Sequence, residues 1–184
     1  DFGARRAHEL AAVAAARASV VGGFVGTSNL EAGLLYGIPT VGTSAHSFTL
    51  LHDTEEEAFA AQVASLGPGT TILVDTYDIA TGVERAVKAA RAAGGELGAV
   101  RLDSGDLVAE AFKVRAQLDS LGATRTKITV TNDLDEHAIA ALGAAPVDSY
   151  GVGTKLVTGS GRPTAALVYK LVEREGADGT MEEV

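Results

Sequence analysis

Cysteine and tryptophan are absent from the 184 residues, methionine occurs once and proline four times. Without cysteine the chain has neither a disulfide framework nor a thiolate zinc site. Long apolar runs are also missing: no stretch of about 18 residues lacks polar side chains, which excludes a membrane-spanning helix. Basic residues are outnumbered 15 to 24 by acidic ones, and the net charge of −9 has the wrong sign for a general nucleic-acid or anionic-membrane surface.

The composition that is present suits one folded domain. Apolar residues make up 46% of the chain and charged residues 21%, which excludes disorder. No basic-then-apolar leader opens the sequence, so we expect a cytoplasmic location. The chain starts at Asp1 rather than at methionine, and we expect it to be a processed chain or a piece of a longer one.

Short runs rich in valine and isoleucine alternate with stretches of helical spacing, which predicts repeated βα units. The runs are nearly continuous, as is typical of strands buried on both faces. The predicted strands are residues 20–25, 38–41, 70–74, 97–102, 127–130 and 149–152. The predicted helices are residues 5–17, 30–36, 54–66, 81–93, 106–121 and 135–142, with N-caps at Thr81 and Asp135 and ends at Gly67, Gly94, Gly122 and Gly143.

Successive strands start roughly 18 to 32 residues apart, the length of a strand plus a crossover helix, which predicts a parallel sheet. A complete (β/α)8 barrel needs about 250 residues. We therefore expect an α/β fold, a partial or irregular (β/α) barrel with about six parallel strands and a ligand site at their carboxyl ends. Residues 1–170 are assigned to the barrel section and residues 171–184 to the start of a C-terminal segment. Within residues 162–183 we expect one strand and the start of a hairpin whose partner strand is missing.

Polar residues follow each predicted strand, where ligands bind in parallel α/β folds. A single turn of this composition is more often a structural cap, but six at one rim favour a binding site. These turns are residues 26–29, 42–47, 75–78, 101–106, 131–133 and 151–155.

Three of these turns carry the residues with the clearest chemistry. Arg101 and Asp103 point to one face of a strand end. In one interpretation the arginine clamps an anion while the carboxylate binds sugar hydroxyls or a metal ion; in the other the two residues form a structural ion pair. The glycine-rich turn at residues 151–154, followed by Lys155, suits either a phosphate or a tight turn. The rim aspartates, Asp75 among them, suit Mg2+ brought in by a pyrophosphate, although several serve as helix caps.

His46 differs from the other three histidines because it directly follows a short predicted strand. A lone histidine is more often structural, but this position favours an acid, a base or a nucleophile that accepts a phosphoryl group. His8 and His137 are expected at the surface, and His52 at a helix entry.

Taken together, the strand-end motifs resemble those of nicotinate phosphoribosyltransferase, a family of type II phosphoribosyltransferases, from Asp1 to about Tyr169. The motifs, in the family's order and spacing, are FGARR at 2–6, GTSN at 26–29, GTSAHS at 42–47, DTYD at 75–78, RLDSGD at 101–106, TNDLD at 131–135 and YGVGT at 150–154. The resemblance implies a glycosyltransferase of NAD salvage, in which nicotinate displaces pyrophosphate from phosphoribosyl pyrophosphate and ATP hydrolysis is coupled to the transfer. It also implies Mg2+ and a homodimer of the full-length enzyme.

The same resemblance implies roles for individual residues. His46 matches a transiently phosphorylated histidine, and Arg101 and Asp103 match the catalytic pair that holds the ribosyl pyrophosphate. Phe2 matches a ring that stacks on the pyridine, and Asp75 is expected to help bind Mg2+ carried by the pyrophosphate. The substrate-binding positions are Phe2, Arg5, Thr27, Ser28, Ser104, Gly105, Asn132, Asp133, Gly153 and Thr154.

Three other interpretations remain open from the sequence. Nicotinamide or quinolinate phosphoribosyltransferase is one, although Ser28 stands where the nicotinamide enzymes have an aspartate, and the further basic cluster that a second carboxylate needs is missing. The others are a non-catalytic barrel fragment and an unrelated metal-dependent barrel lyase. Because the family's chain is about twice this length, a fragment of 184 residues is expected to lack the partner domain and full activity.

Overall fold

Four parallel strands form the main sheet of the computed structural model, which describes residues 1–159 and 161–184. Its strands are β1 (Thr71–Leu73), β2 (Ala99–Leu102), β3 (Lys127–Val130) and β4 (Ser149–Tyr150). A separate two-stranded sheet contains β5 (Glu173–Glu175) and β6 (Met181–Glu183). The helices are α1 (Glu9–Val21), α2 (Leu30–Tyr36), α3 (His46–Leu50), α4 (Glu55–Leu66), α5 (Ile79–Ala92), α6 (Leu107–Ser120), α7 (Glu136–Ala141) and α8 (Thr154–Thr158), with 3-10 turns at Ala4–Arg6 and Leu142–Ala144.

The main sheet has the order β1-β2-β3-β4, with consecutive strands joined by crossover helices α5, α6 and α7. One face of this sheet packs against the helices and forms the core, where Ile72, Val100 and Ile128 lie in register and are fully buried. Period two places Arg101 and Thr129 on the opposite face. The predicted α/β class with a parallel sheet is confirmed.

Aspartate side chains cap the three crossover helices, and a threonine caps α4. Thr54 and Glu57 form a reciprocal capping box at the start of α4. The predicted cap at Asp135 is confirmed, but α5 starts at Ile79 with Asp78 as its cap, so the prediction of Thr81 was wrong. Thr81 instead donates both its N–H, at 2.9 Å, and its hydroxyl, at 2.7 Å, to the Asp78 carboxylate.

The first two predicted strands are not strands in the structure. Residues 20–25 divide between the end of α1 and a turn at Gly22 and Gly23. Gly23 has a φ of 107°, which breaks the extended run. Helix α1 itself lies four residues later than predicted, because residues 4–6 form only a 3-10 turn. Residues 38–41 contribute a single parallel bridge, Thr27 to Thr40, so the sheet has four strands rather than about six.

Backbone hydrogen bonds nevertheless continue from β4 to that bridge. The Phe2 N–H donates to the Val152 carbonyl at 2.7 Å. On the other side, the main-chain nitrogen of Asp1 donates to the Gly26 carbonyl at 2.8 Å, and the Ser28 N–H donates to the Asp1 carbonyl at 2.8 Å. The first two residues therefore lie between β4 and the segment that carries Thr27.

The C-terminal hairpin contains both of its strands, so the prediction of a missing partner was wrong. Strands β5 and β6 pair antiparallel from Glu173–Glu183 to Glu175–Met181. The turn between them closes through the Gly179 N–H, which donates to the Gly176 carbonyl at 3.0 Å. Gly179 has a φ of 82°, a conformation that favours glycine.

None of the helices in residues 1–159 and 161–184 combines the length and apolar character needed to cross a membrane.

Candidate active site

The carboxyl ends of β1, β2 and β3 bring five of the sequence-predicted residues into one polar network. This rim network consists of His46, Asp75, Arg101 and Asp103, together with the hydroxyls of Thr43, Thr76, Ser104 and Thr131. Asp103 follows β2 directly, Asp75 lies two residues after the end of β1, and Arg101 is within β2. His46 is the first residue of α3 and reaches the network from the other side of the rim.

The two ring nitrogens of His46 have different partners. Nδ1 lies 3.1 Å from the Thr76 hydroxyl oxygen, and Nε2 lies 3.8 Å from Oδ2 of Asp103. A carboxylate beside Nε2 favours the tautomer with its proton there, and Thr76 can then donate to the lone pair on Nδ1. The side chain is 41% exposed, so the ring remains accessible to a ligand.

Arg101 holds the rim network together through four hydrogen bonds. Nε donates to the Thr131 hydroxyl at 2.8 Å, and Nη1 donates to the Thr43 hydroxyl at 2.6 Å and the Ser44 carbonyl at 3.2 Å. Nη2 donates to Oδ1 of Asp103 at 2.9 Å. Because the guanidinium has five N–H groups, one on Nη2 is left for a ligand. The structural ion pair that the sequence left open is therefore formed.

Asp103 is held as a carboxylate. Burial raises the pKa of its carboxyl, but the neighbouring His46, the Thr131 hydroxyl and the charge of Arg101 outweigh burial, so the pKa lies well below its ordinary value. Thr131 donates to the same Oδ1 that accepts from Arg101. Asp103 thus places a fixed negative charge between the arginine and the histidine.

Asp75 supports Asp103 from below and has one oxygen without a partner. Its Oδ2 accepts the Asp103 N–H at 2.7 Å and the Ser104 hydroxyl at 2.7 Å. Its Oδ1 is buried and has no hydrogen-bond partner. Among the described residues, no group of three or more histidine and carboxylate side chains is placed to bind a metal ion alone.

Phe2 lies at the mouth of a cavity of about 570 Å³ on the concave side of the sheet. Its ring packs against Gly151, where an added Cβ would come within 2.6 Å of the ring. The Arg101 guanidinium lies 6.0 Å from the ring centroid. Phe24, Val41 and Thr129 also line this cavity. Arg5 is exposed and has no ion pair in the part of the chain that the structure describes.

The turn at residues 26–29 lies beside this cavity, which Gly26 lines. Thr27 is fully buried, and its hydroxyl donates to the Asp1 carboxylate and accepts the Asn29 N–H, at 2.7 Å and 3.1 Å. The Thr27 side chain is therefore directed at the protein rather than at a ligand. Ser28 is half-buried beside it. Asn29 caps α2 through the Ala32 N–H at 2.9 Å.

The remaining predicted positions lie in loops at the same rim but outside the network. Asn132 and Asp133 are exposed and have φ values of 100° and 45°, rare for residues with a side chain. Such strain is typical of functional loops. Gly105 also has a positive φ, 76°, and Gly153 precedes α8, which starts at Thr154.

Four residues that contact the predicted ones were not singled out from the sequence: Asp1, Thr43, Thr76 and Thr131. Three of them lie inside strand-end motifs, so their position signalled a role at the rim, but nothing in their spacing indicated their partners. Arg101 and Thr43 are 58 positions apart. Asp1 carried no signal beyond its place before Phe2.

The chain is similar to several known proteins. The family model described as the nicotinate phosphoribosyltransferase (NAPRTase) family matches residues 1–175. Nicotinate phosphoribosyltransferase pncB1 of Mycobacterium tuberculosis (strain ATCC 25618 / H37Rv) is 60% identical over 96% of this chain and 40% of its own length. Nicotinate phosphoribosyltransferase of Bacillus subtilis (strain 168) is 43% identical over 98% of the chain and 38% of its own length.

A solved structure shows the same fold. The crystal structure of nicotinate phosphoribosyltransferase from Porphyromonas gingivalis aligns over 99% of this chain and 51% of its own, with a TM-score of 0.77 at 22% identity. The chain spans about two fifths of the length of the curated relatives it matches. With the family model covering residues 1–175 and a relative 60% identical, the chain belongs to the nicotinate phosphoribosyltransferase family.

Proposed function

We propose that this chain is the barrel section of an enzyme that transfers phosphoribosyl from phosphoribosyl pyrophosphate to nicotinate, giving nicotinate mononucleotide and pyrophosphate. The observation that carries the proposal is the rim network, in which His46, Arg101 and Asp103 meet. Family membership supports the substrates. Glycosyl transfer of this kind passes through an oxocarbenium-like state, so the protein mainly positions two anions and stabilises the leaving group.

His46 is the proposed acceptor of a phosphoryl group from ATP. The lone pair on Nδ1 attacks the γ-phosphorus, the bond to the ADP oxygen breaks, and ADP leaves. The proton on Nε2 stays beside Oδ2 of Asp103, 3.8 Å away, which stabilises the positive charge that develops on the ring. Hydrolysis of the phosphohistidine later releases phosphate. ATP in this scheme improves substrate binding and equilibrium and takes no part in the glycosyl transfer.

The phosphoribosyl group is proposed to bind along the rim. Arg101 offers its remaining Nη2 N–H to the pyrophosphate, and Asp103 accepts from the ribose hydroxyls. The loops after β2, β3 and β4 supply backbone amides and short side chains for the phosphates. Their proposed binding residues are Ser104, Gly105, Asn132, Asp133, Gly153 and Thr154.

The chemistry of Asp75 fits a Mg2+ ion that arrives with the pyrophosphate. Mg2+ prefers oxygen ligands and usually combines one or two carboxylates with substrate phosphates and water. Asp75 has a carboxylate oxygen without a partner, and Oδ2 anchors its orientation through Asp103 and Ser104. Bound there, Mg2+ would neutralise charge on the leaving pyrophosphate.

Nicotinate is proposed to stack on Phe2 with its carboxylate near Arg5. The Thr27–Ser28 turn forms the adjacent wall. Ser28 favours nicotinate over nicotinamide because an aspartate at this place would repel a carboxylate. The absence of further basic residues in the predicted motifs argues against quinolinate, which has a second carboxylate.

The complete enzyme is proposed to close the barrel and to act in the cytoplasm as a homodimer. Support for closure comes from the backbone hydrogen bonds that run from β4 through Asp1 to Thr27 and Thr40. A second candidate, a non-catalytic ligand-binding section, is favoured by the share of the relatives that this chain spans, about two fifths.

One experiment tests these proposals together. Nicotinate mononucleotide formation is measured with and without ATP, alongside acid-labile incorporation of label from γ-labelled ATP. Wild type is expected to form product and take up label, and His46→Ala to take up none.

His137→Ala is the matched control, since Nε2 of His137 also lies 3.8 Å from a carboxylate, that of Glu136, but its side chain is 86% exposed. Label that persists in His46→Ala would refute the phosphohistidine. Substrate binding without product by the 184-residue chain would select the non-catalytic candidate.

A further inference from the structure

Asp1 is a buried acidic residue that the proposed reaction does not use. It is 7% exposed, yet both oxygens of its carboxylate have partners from different segments. Oδ1 accepts the Gly3 N–H at 2.7 Å, and Oδ2 accepts the Thr27 hydroxyl at 2.7 Å. In the described part of the chain no basic side chain forms an ion pair with it. Its charge is therefore stabilised by these two donors.

These two hydrogen bonds connect the two sides of the proposed nicotinate site. Gly3 follows Phe2 directly, and Thr27 precedes Ser28. The main chain of Asp1 makes two more connections in the same direction, to the Gly26 carbonyl and from the Ser28 N–H, each at 2.8 Å.

The segment held by Asp1 has little room to move. An added Cβ on Gly3 would lie 2.2 Å from Cγ1 of Val157, and the Phe2 ring already fills the space over Gly151. Thr27 passes the constraint on, because its hydroxyl oxygen also accepts the Asn29 N–H and Asn29 caps α2. A chain of hydrogen bonds thus runs from Gly3, next to Phe2, through Asp1, Thr27 and Asn29 to helix α2.

We propose that Asp1 is a positioning residue that fixes the Phe2 ring relative to the Ser28 turn and so sets the affinity for nicotinate. The inference rests on the proposed function. Loss of the carboxylate leaves the Gly3 N–H and the Thr27 hydroxyl without their partner, and only the main-chain bonds of Asp1 then hold the two walls in place. A misplacement of about 1 Å costs up to about 100-fold in the rate of an enzyme reaction, and we expect a loss of nicotinate affinity on the same scale.

The test measures binding of nicotinate and of phosphoribosyl pyrophosphate to the full chain by calorimetry. Asp1→Ala is expected to weaken nicotinate binding by about 10- to 100-fold and to change phosphoribosyl pyrophosphate binding less than about twofold. Asp1→Asn keeps an acceptor for the Gly3 N–H and is expected to restore most of the nicotinate affinity. Asp119→Ala removes an exposed carboxylate that pairs with Arg115 and serves as the control, with no change expected.

A second variant covers the case in which Asp1→Ala does not fold. Thr27→Val removes the same hydrogen bond from the other side while nearly keeping the buried volume. It is expected to give a comparable loss of nicotinate affinity, and where both variants fold, the double variant is expected to lose no more than the larger single loss.

The outcomes separate this inference from the proposed function. Unchanged nicotinate affinity in Asp1→Ala, with wild type binding nicotinate, would overturn the positioning role and leave the proposed function standing. Equal weakening of both ligands would assign Asp1 a general structural role and also overturn it. If wild type binds phosphoribosyl pyrophosphate but not nicotinate, the proposed function fails, and the inference fails with it.

Discussion

Replacing Arg101 with lysine tests whether the planar guanidinium, rather than its charge, holds the rim network. Arg101 donates four hydrogen bonds in three directions, to Thr131, to Thr43 and Ser44, and to Asp103. A lysine ammonium is a single point and cannot reach all three. We expect the lysine to keep the bond to Asp103 and to lose at least two of the three bonds to Thr131, Thr43 and Ser44.

The magnitude follows from the partners that are lost. A hydrogen bond to a charged group contributes about 1.5–3 kcal/mol, and the lower end applies because Thr43 and Ser44 are only half-buried and water can replace part of the loss. Two lost bonds therefore predict a decrease of about 3 kcal/mol in the free energy of unfolding. For a chain of this size that lowers the melting temperature by roughly 6–12 °C.

The assay is urea unfolding followed by circular dichroism, with Arg125→Lys as the matched control. Arg125 pairs with Glu96 at the surface, where the two side chains are 79% and 58% exposed, so the same substitution is expected to cost less than about 0.5 kcal/mol. Equal shifts in the two variants would refute the reasoning. A loss below about 1 kcal/mol in Arg101→Lys would do the same, because Arg101 would then be no more than another surface ion pair.

Three further predictions follow from single contacts. Gly82→Ala is expected to destabilise the fold by about 1–2 kcal/mol although alanine favours helices, because the new Cβ would lie 2.3 Å from the Val74 carbonyl oxygen. Gly143→Ala is the control and is expected to be neutral in the same urea unfolding, since its new Cβ would have no atom within 4 Å. Asp103→Asn is expected to reduce the loss of unfolding free energy that wild type shows at acid pH. The pKa of Asp103 is lowered in the folded state, so the carboxylate stabilises the fold fully above the unfolded value of 3.8 and loses this effect as the pH falls below it. Glu55→Gln is expected to have the opposite pH dependence. Burial raises the pKa of Glu55, so wild type loses stability as the pH rises above 4.5, whereas the variant does not. A Glu55→Gln profile that parallels wild type as the pH rises above 4.5 would contradict this assignment.

Local sequence patterns predicted some elements correctly and failed for others. Strand β3 and helix α2 have the predicted boundaries, because a short β-branched run and an asparagine cap are local signals. The run at residues 20–25 misled for the same reason. Its valines lie partly at the end of an alanine-rich helix, and only packing of that helix decides their conformation. Contacts between distant segments, such as Asp1 with Thr27, have no local pattern.

The rim residues could be predicted because parallel strands all end at one edge, but their hydrogen bonds could not. The period-two rule placed Arg101 and Asp103 on one side, and both a clamp and an ion pair satisfied it. The choice depends on Thr43 and Thr131, whose hydroxyls reach Arg101 from turns 58 and 30 positions away. Likewise, Thr76 and Asp103 determine which nitrogen of His46 carries the proton.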